Sequence, residues 1–204
     1  MPGRNIVKQY QPDGYYHLYN RGLNKDDVFR DAEDYRYFEW LLDRTVGPEQ
    51  KNDKKGRPFT WLGDQIKLDA YCLMPNHYHI LVNQSAEKGI SQLMRTLGTA
   101  YTYYANKKYG RRGPLFENVY RAVLVEDDGQ LMHLTRYIHL NPHDYKKWAY
   151  SSFSDYLGKP RPWVNVEVLM SYFNSPRQYR RFVNDYEEMQ RERETLKRQL
   201  ADNI

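Results

Sequence analysis

The sequence predicts an α+β fold, an antiparallel sheet with helices packed on it. Three observations predict it. Strand-like and helix-like segments follow in the order strand, helix, strand, strand, helix, strand, helix. Two of the strands are joined only by the turn Met74-Pro75-Asn76 and so form a hairpin. The helices carry a one-sided apolar stripe, which has to be covered by another layer.

The first strand is Gly14 to Arg21, rich in aromatics and ended by Gly22. Asp31 is placed to cap a helix whose first turn holds Glu33 and Asp34. Tyr35, Phe38, Leu42 and Thr45 recur at its helical spacing, and Gly47-Pro48 stop it. Pro48 to Gly63 is polar and reads as a long solvated or disordered loop. Ile66 to Leu73 alternates as a strand, with Ile66, Leu68, Ala70 and Cys72 expected on one face. His77 to Asn83 is its hairpin partner. Gly89 opens a helix striped by Ile90, Leu93, Met94, Leu97, Tyr101 and Tyr104. Lys107 to Arg112 reads as a basic loop and Tyr120 to Val125 as a further strand. Asp127 and Asp128 start a helix through Leu131, Leu134 and Ile138 that stops at Asn141-Pro142. Past Gly158 the character changes. Lys159-Pro-Arg-Pro162 reads as a linker, Pro176 suits the first position of an amphipathic helix, and after Arg191 charge dominates, with Leu196 and Leu200 the main apolar residues. The expected division is a domain over 14–158 and a linker with helical extension over 159–204.

The chain has 204 residues, enough for one domain with an appendage. Its 20 Tyr stand against 7 Phe and 4 Trp, and the net charge is +5. Mean hydropathy is −0.93 and the pI about 9.1. Tyr-rich and mildly basic composition suits stacking on bases with phosphate contacts, and equally a half-wet core. No apolar run approaches the ~20 residues of a membrane span, and the N-terminus lacks a signal-peptide stretch. With one Cys, Cys72, no internal disulfide can form, so a cytoplasmic location is expected.

Two segments could carry chemistry. In a strand, His77 and His79 point to the same face and could share one divalent ion. By spacing alone such a pair is more often simply hydrogen-bonded. Metallo-β-lactamase-type hydrolases follow their His-x-His with Asp-His, whereas here Ile80-Leu81 follow. On the last helix, His133, Tyr137 and Asn141 are four apart and share a side. That side reads either as a plain polar face or as a reactive one. A phenol, with a pKa of about 10, becomes useful against a phosphodiester when a metal withdraws charge from the reacting centre.

Tyr-His-Leu-Tyr-Asn-Arg-Gly22, Ala70-Tyr-Cys-Leu-Met-Pro-Asn-His-Tyr-His-Ile-Leu-Val82 and Arg136-Tyr-Ile-His-Leu-Asn-Pro142 together resemble the REP-associated tyrosine transposases, which are single-tyrosine HUH transposases. The resemblance spans roughly Gly14 to Gly158. It implies a ferredoxin-like antiparallel sheet with packed helices, the HUH endonuclease fold. It implies metal-dependent cleavage and strand transfer on single-stranded DNA with hairpin ends, using Mg²⁺ or Mn²⁺. By the same resemblance His77 and His79 would bind the metal, Asn141 would be its third ligand, and Tyr137 would form a 5′-phosphotyrosine link. The alternative is a domesticated relative that holds hairpin nucleic acid without cutting it. The resemblance leaves His133 and His139 without site roles, so structural hydrogen bonds are expected of them.

The chain departs from the family pattern in His143-Asp-Tyr-Lys-Lys-Trp148, in the longer 48–63 loop and in the tail beyond Lys159. For DNA contacts the sequence offers Lys107, Lys108, Arg111 and Arg112 around Tyr109, a set that suits a phosphate backbone with a base on Tyr109 and equally a plain solvated loop. Arg121 and Arg136 lie near the site in sequence. The expected partner is single-stranded or hairpin DNA, with no membrane, and the chain acting as a monomer or homodimer.

Overall fold

Four strands pair antiparallel in the order β2-β3-β1-β4 in a computed structural model that describes residues 10–186. The strands are β1 (Gly14–Arg21), β2 (Ile66–Met74), β3 (His77–Gln84) and β4 (Arg121–Val125). The helices are α1 (Ala32–Val46), α2 (Gly89–Lys108), α3 (Asp128–His139), the short α4 (Glu167–Met170) and α5 (176–186). Each crossover, β1-α1-β2 and β3-α2-β4, skips one strand and interlocks with the other, which is the ferredoxin-like arrangement.

The sheet has two covered faces. Leu18, Tyr78, Ile80 and Val82 on one side pack with Phe38, Leu41 and Leu42 of α1 and with Leu93, Leu97 and Tyr101 of α2. Ala70, Cys72 and Leu81 on the other pack with Leu131 and Ile138 of α3. α1 starts where expected, because Asp31 Oδ1 accepts from the backbone N–H of Glu33 and Asp34, a cap worth about 1 kcal/mol.

β2 does not keep the alternation read from its sequence. Its register with β3 shifts between Leu68 and Ala70, making Asp69 an extra residue. A bulge of one residue moves everything after it to the other face. Ile66 and Leu68 therefore sit with α1 and α2, whereas Ala70 and Cys72 face α3 and Tyr71 and Leu73 take over the first side. Buried Asp69 accepts from Asn165 Nδ2 through Oδ1, and its backbone carbonyl accepts from the Tyr156 hydroxyl.

Two further segments differ from the expectation. The 48–63 loop is a tied turn. Asn52 and Pro58 form a bridge, Trp61 Nε1 donates to the Gly47 carbonyl at 2.8 Å, and Arg44 lies over the rings of Trp40 and Phe59. Lys107 and Lys108 are the last residues of α2 rather than loop residues, and Gly110, at φ +61°, takes the left-handed turn that follows.

Between residues 159 and 186 the chain packs into both cores. Trp163 and Val164 join the first, and Leu169, Tyr179 and Val183 join the second. Arg161 is paired with buried Asp155 and with Glu39 of α1. Ser175 Oγ accepts from Gln178 N ahead of the helix that Pro176 enters. The charged stretch after Arg191 lies outside the described residues.

Candidate active site

The α3 face of the sheet carries the polar cluster. Along β1, Tyr16, Leu18 and Asn20 are buried while Tyr15, His17 and Tyr19 alternate with them toward α3. β3 lies beside β1 with Tyr19 opposite His79 and Arg21 opposite His77. α3 then crosses this face and sets Tyr137 over the pair. The Tyr137 ring stands edge-on to His79, 5.3 Å between centroids, and the two histidine rings are 5.1 Å apart. Tyr137 is 47% exposed whereas His79 is 7% exposed. A cleft of about 280 Å³ opens here, lined by His77, His79, Tyr137, Arg21, Arg121 and Glu117 among others.

α3 is fixed by its own C-terminal residues. His139 is fully buried, with Nδ1 2.6 Å from the Tyr179 hydroxyl and Nε2 2.8 Å from Ser152 Oγ. Hydroxyls can donate or accept, so a neutral imidazole is satisfied at both nitrogens. Ser152 Oγ also accepts from the Tyr71 backbone N–H of β2. The helix end that bears Tyr137 and Asn141 is thereby tied to the sheet.

His77 is held from the hairpin turn. Its Nδ1 lies 2.7 Å from Asn76 Oδ1, and Asn76 Nδ2 donates to the Lys25 carbonyl, which fixes that amide's orientation. Pro75's carbonyl accepts from Val28 and Phe29, and Asn76's carbonyl accepts from Gly22. A Cβ on Gly22 would fall 2.1 Å from the Asp26 carbonyl oxygen, so the loop can clasp the turn only with glycine there. The other nitrogen of His77, Nε2, is 3.0 Å from Asn141 Oδ1.

The imidazoles are kept neutral. Burial, then the charge of Arg21, lowers His77, partly opposed by the Asn141 contact. Burial pushes His79 down to about 3, with His17 and His77 adding to the effect, and burial pushes His17 down to about 4. Neutral imidazole is the metal-binding form. His77 has one N–H for two amide oxygens. With that N–H given to Asn76, the Nε2 lone pair faces the Asn141 oxygen, a pairing that a cation between them would turn from repulsive to favourable. The donor set of His77, His79 and Asn141 therefore fits a divalent ion. Among the described residues no group of three His, Cys, Asp or Glu side chains could hold a metal ion.

The structure thus brings together His77, His79, Tyr137 and Asn141, with Arg121 on the cleft wall. Other residues singled out from the sequence lie elsewhere. Arg136 is 8% exposed, with its guanidinium over the rings of Phe182 and Tyr186 and bonded to His133 Nδ1. His133 also meets the Tyr186 ring, 6.3 Å between centroids. Lys108 and Tyr109 are on the α1 side of the sheet, where both bond to Asp31 and Asp34. Lys107, Arg111 and Arg112 flank them, outside the cleft lining. His17, Tyr19 and Arg21, which belong to the first motif of the resemblance but were given no site role there, also lie at this site. The β1 alternation held the signal, since a histidine and a tyrosine occupy the face opposite Tyr16 and Leu18.

Residues 61–141 match the family model described as transposase IS200-like. That span runs from before β2 to Asn141 and contains both histidines and Tyr137, in agreement over those residues with the transposase resemblance of the motifs. Among solved structures, one described as the REP-associated tyrosine transposase bound to a REP hairpin is similar in fold. Its TM-score is 0.56 at 14% identity, over 77% of this chain and 89% of that one. A putative transposase from Deinococcus radiodurans R1 is matched at 17% identity with a TM-score of 0.40, over 68% of this chain and 95% of that one. No curated protein matches the chain.

Proposed function

We propose that the chain is a metal-dependent endonuclease and strand transferase for single-stranded DNA with hairpin ends. The observation that carries this reading is the placing of a half-exposed Tyr137 edge-on to His79, at the mouth of a cleft with arginines on its wall. Nothing in packing calls for a phenol left open beside neutral imidazoles, one buried and two half-buried.

The Tyr137 oxygen attacks the scissile phosphorus. The phenol gives up its proton as a bond from its oxygen to phosphorus forms, the bond from phosphorus to the 3′ oxygen breaks, and the leaving strand takes a proton from water to become a 3′-OH. The DNA is left on the protein as a 5′-phosphotyrosine. A second 3′-OH reverses the step, so the bond energy is kept and no nucleotide cofactor is consumed. His77, His79 and Asn141 would hold Mg²⁺ or Mn²⁺, which neutralises phosphate charge and favours attack. Arg21 and Arg121 bring positive charge to the strand in the cleft.

The test is incubation of the protein with hairpin-bearing single strands and Mn²⁺, followed by denaturing electrophoresis. An SDS-resistant adduct that is absent in Tyr137→Phe is the expected result. Hairpin binding with no adduct on any substrate would favour the domesticated, non-cleaving binder.

A further inference from the structure

The two histidines of the site are held differently at Nδ1. Asn76 Oδ1, which can only accept, faces His77 Nδ1 at 2.7 Å. At His79 the partner is a third imidazole: His17 Nε2 lies 2.8 Å from His79 Nδ1. An imidazole nitrogen can accept or donate. If His17 donates, the proton of His79 sits on Nε2 and that nitrogen cannot ligate. If His17 accepts, the proton sits on Nδ1 and Nε2 offers its lone pair to the cleft that His79 lines.

His17 is also clamped in place. Its ring stacks on Tyr19 at 4.8 Å and 28°, and lies edge to edge and nearly coplanar with His79, 5.0 Å between centroids and 25° between planes, as the nitrogen-to-nitrogen contact requires. The Tyr137 ring stands edge-on to it at 6.4 Å. His17 is not among the residues lining the cleft, so it acts on the site through His79.

We infer that His17 is the positioning residue of the site: it accepts the Nδ1–H of His79, fixes that ring's tautomer and plane, and so presents His79 Nε2 to a divalent cation. This rests on the metal-dependent reading proposed above. Hydrogen-bond partners behind metal-bound histidines typically change metal affinity by about 10–100-fold when removed.

The experiment measures Mn²⁺ binding without DNA, by calorimetry, for wild type, His17→Phe and His17→Gln. Phenylalanine keeps the stacked ring and removes the acceptor, whereas glutamine restores a carbonyl acceptor. The expected result is a Kd raised about 10–100-fold in His17→Phe and largely restored in His17→Gln, with metal-free hairpin binding unchanged in both. Imidazole ¹⁵N spectra of the metal-free wild type are recorded beside it and should show His79 protonated at Nδ1. Wild-type Mn²⁺ affinity in a folded His17→Phe, or a His79 protonated at Nε2, overturns the inference. The spectrum decides even where a variant fails to fold. A wild type that binds no Mn²⁺ would overturn the metal-dependent reading and leave the spectrum to judge His17 separately.

Discussion

The two faces of the sheet use the same residue types for opposite ends. On the α1 and α2 side, Tyr35, Tyr78 and Tyr101 are buried, and Tyr101 donates its hydroxyl to the Val28 carbonyl at 2.9 Å. On the α3 side, Tyr137 is left open and its neighbours are imidazoles rather than aliphatics. A strand alternates its faces residue by residue, so β1 and β3 can serve a tight core and a polar cleft together. What sets Tyr137 apart from the packing tyrosines, including Tyr156 and Tyr179 on its own side of the sheet, is its exposure beside imidazoles and not the residue type.

The largest effects come from exchanging those roles. Tyr101→Ala should cost about 4 kcal/mol through the cavity and the lost buried hydrogen bond, read as a shift in the urea midpoint, with adduct formation falling only as the fold is lost. Tyr137→Phe should do the reverse. Its stability should stay within about 0.5 kcal/mol of wild type, while adduct falls to background. A Tyr137→Phe protein that still forms adduct would move the nucleophile elsewhere.

This contrast also shows what the sequence could and could not disclose. The order of elements along the chain and both crossover helices were legible because periodicity and caps are local signals, whereas the grouping of His77, His79, Tyr137 and Asn141 came from the family resemblance and not from spacing alone. The Asp69 bulge was not, because an inserted residue shows itself only against its partner strand, here β3. Arg136 read as a DNA contact because its neighbour is Tyr137. On a helix the next residue points about 100° away, and Phe182 and Tyr186, far along the chain, supply its actual surroundings. His17 stands in a quoted motif but has no role legible from it, because its partner His79 is 62 residues away.

The α3 side should also fail first in acid. Burial pushes His139 and His79 down to about 3 and His17 to about 4, against about 6.5 in an unfolded chain. Because these folded-state values are depressed, the unfolded state binds protons first as pH falls. Their contribution is complete above pH ~6.5 and is lost toward pH 4 and 3. By pH 5 each should have given up about 2 kcal/mol, measurable as urea midpoints from pH 7.5 downward. His139→Gln should flatten part of that slope. Asp69 works the other way: burial pushes its carboxyl up to about 8, so stability drains as pH rises from about 4 to that value, and Asp69→Asn should remove that loss.

The finest test of the comparison sets one cation from each side against the other. Lys108 Nζ bonds to Asp31 and to buried Asp34, and Tyr104 and Tyr109 add donors to the same carboxylate. A cation so engaged has little charge to offer a phosphate. Lys108→Met should cost about 2 kcal/mol of stability, the worth of a charged hydrogen bond, and leave the salt dependence of hairpin binding unchanged. Arg121 instead lies exposed on the cleft wall, its guanidinium 5.9 Å from the Tyr19 ring centroid. Arg121→Ala should barely alter stability but reduce the slope of log affinity against log salt by about 0.7, one phosphate contact on a single strand. If Lys108→Met changes that slope and Arg121→Ala does not, the strand runs over the α1 and α2 side, and the cleft beside Tyr137 is not where the DNA lies.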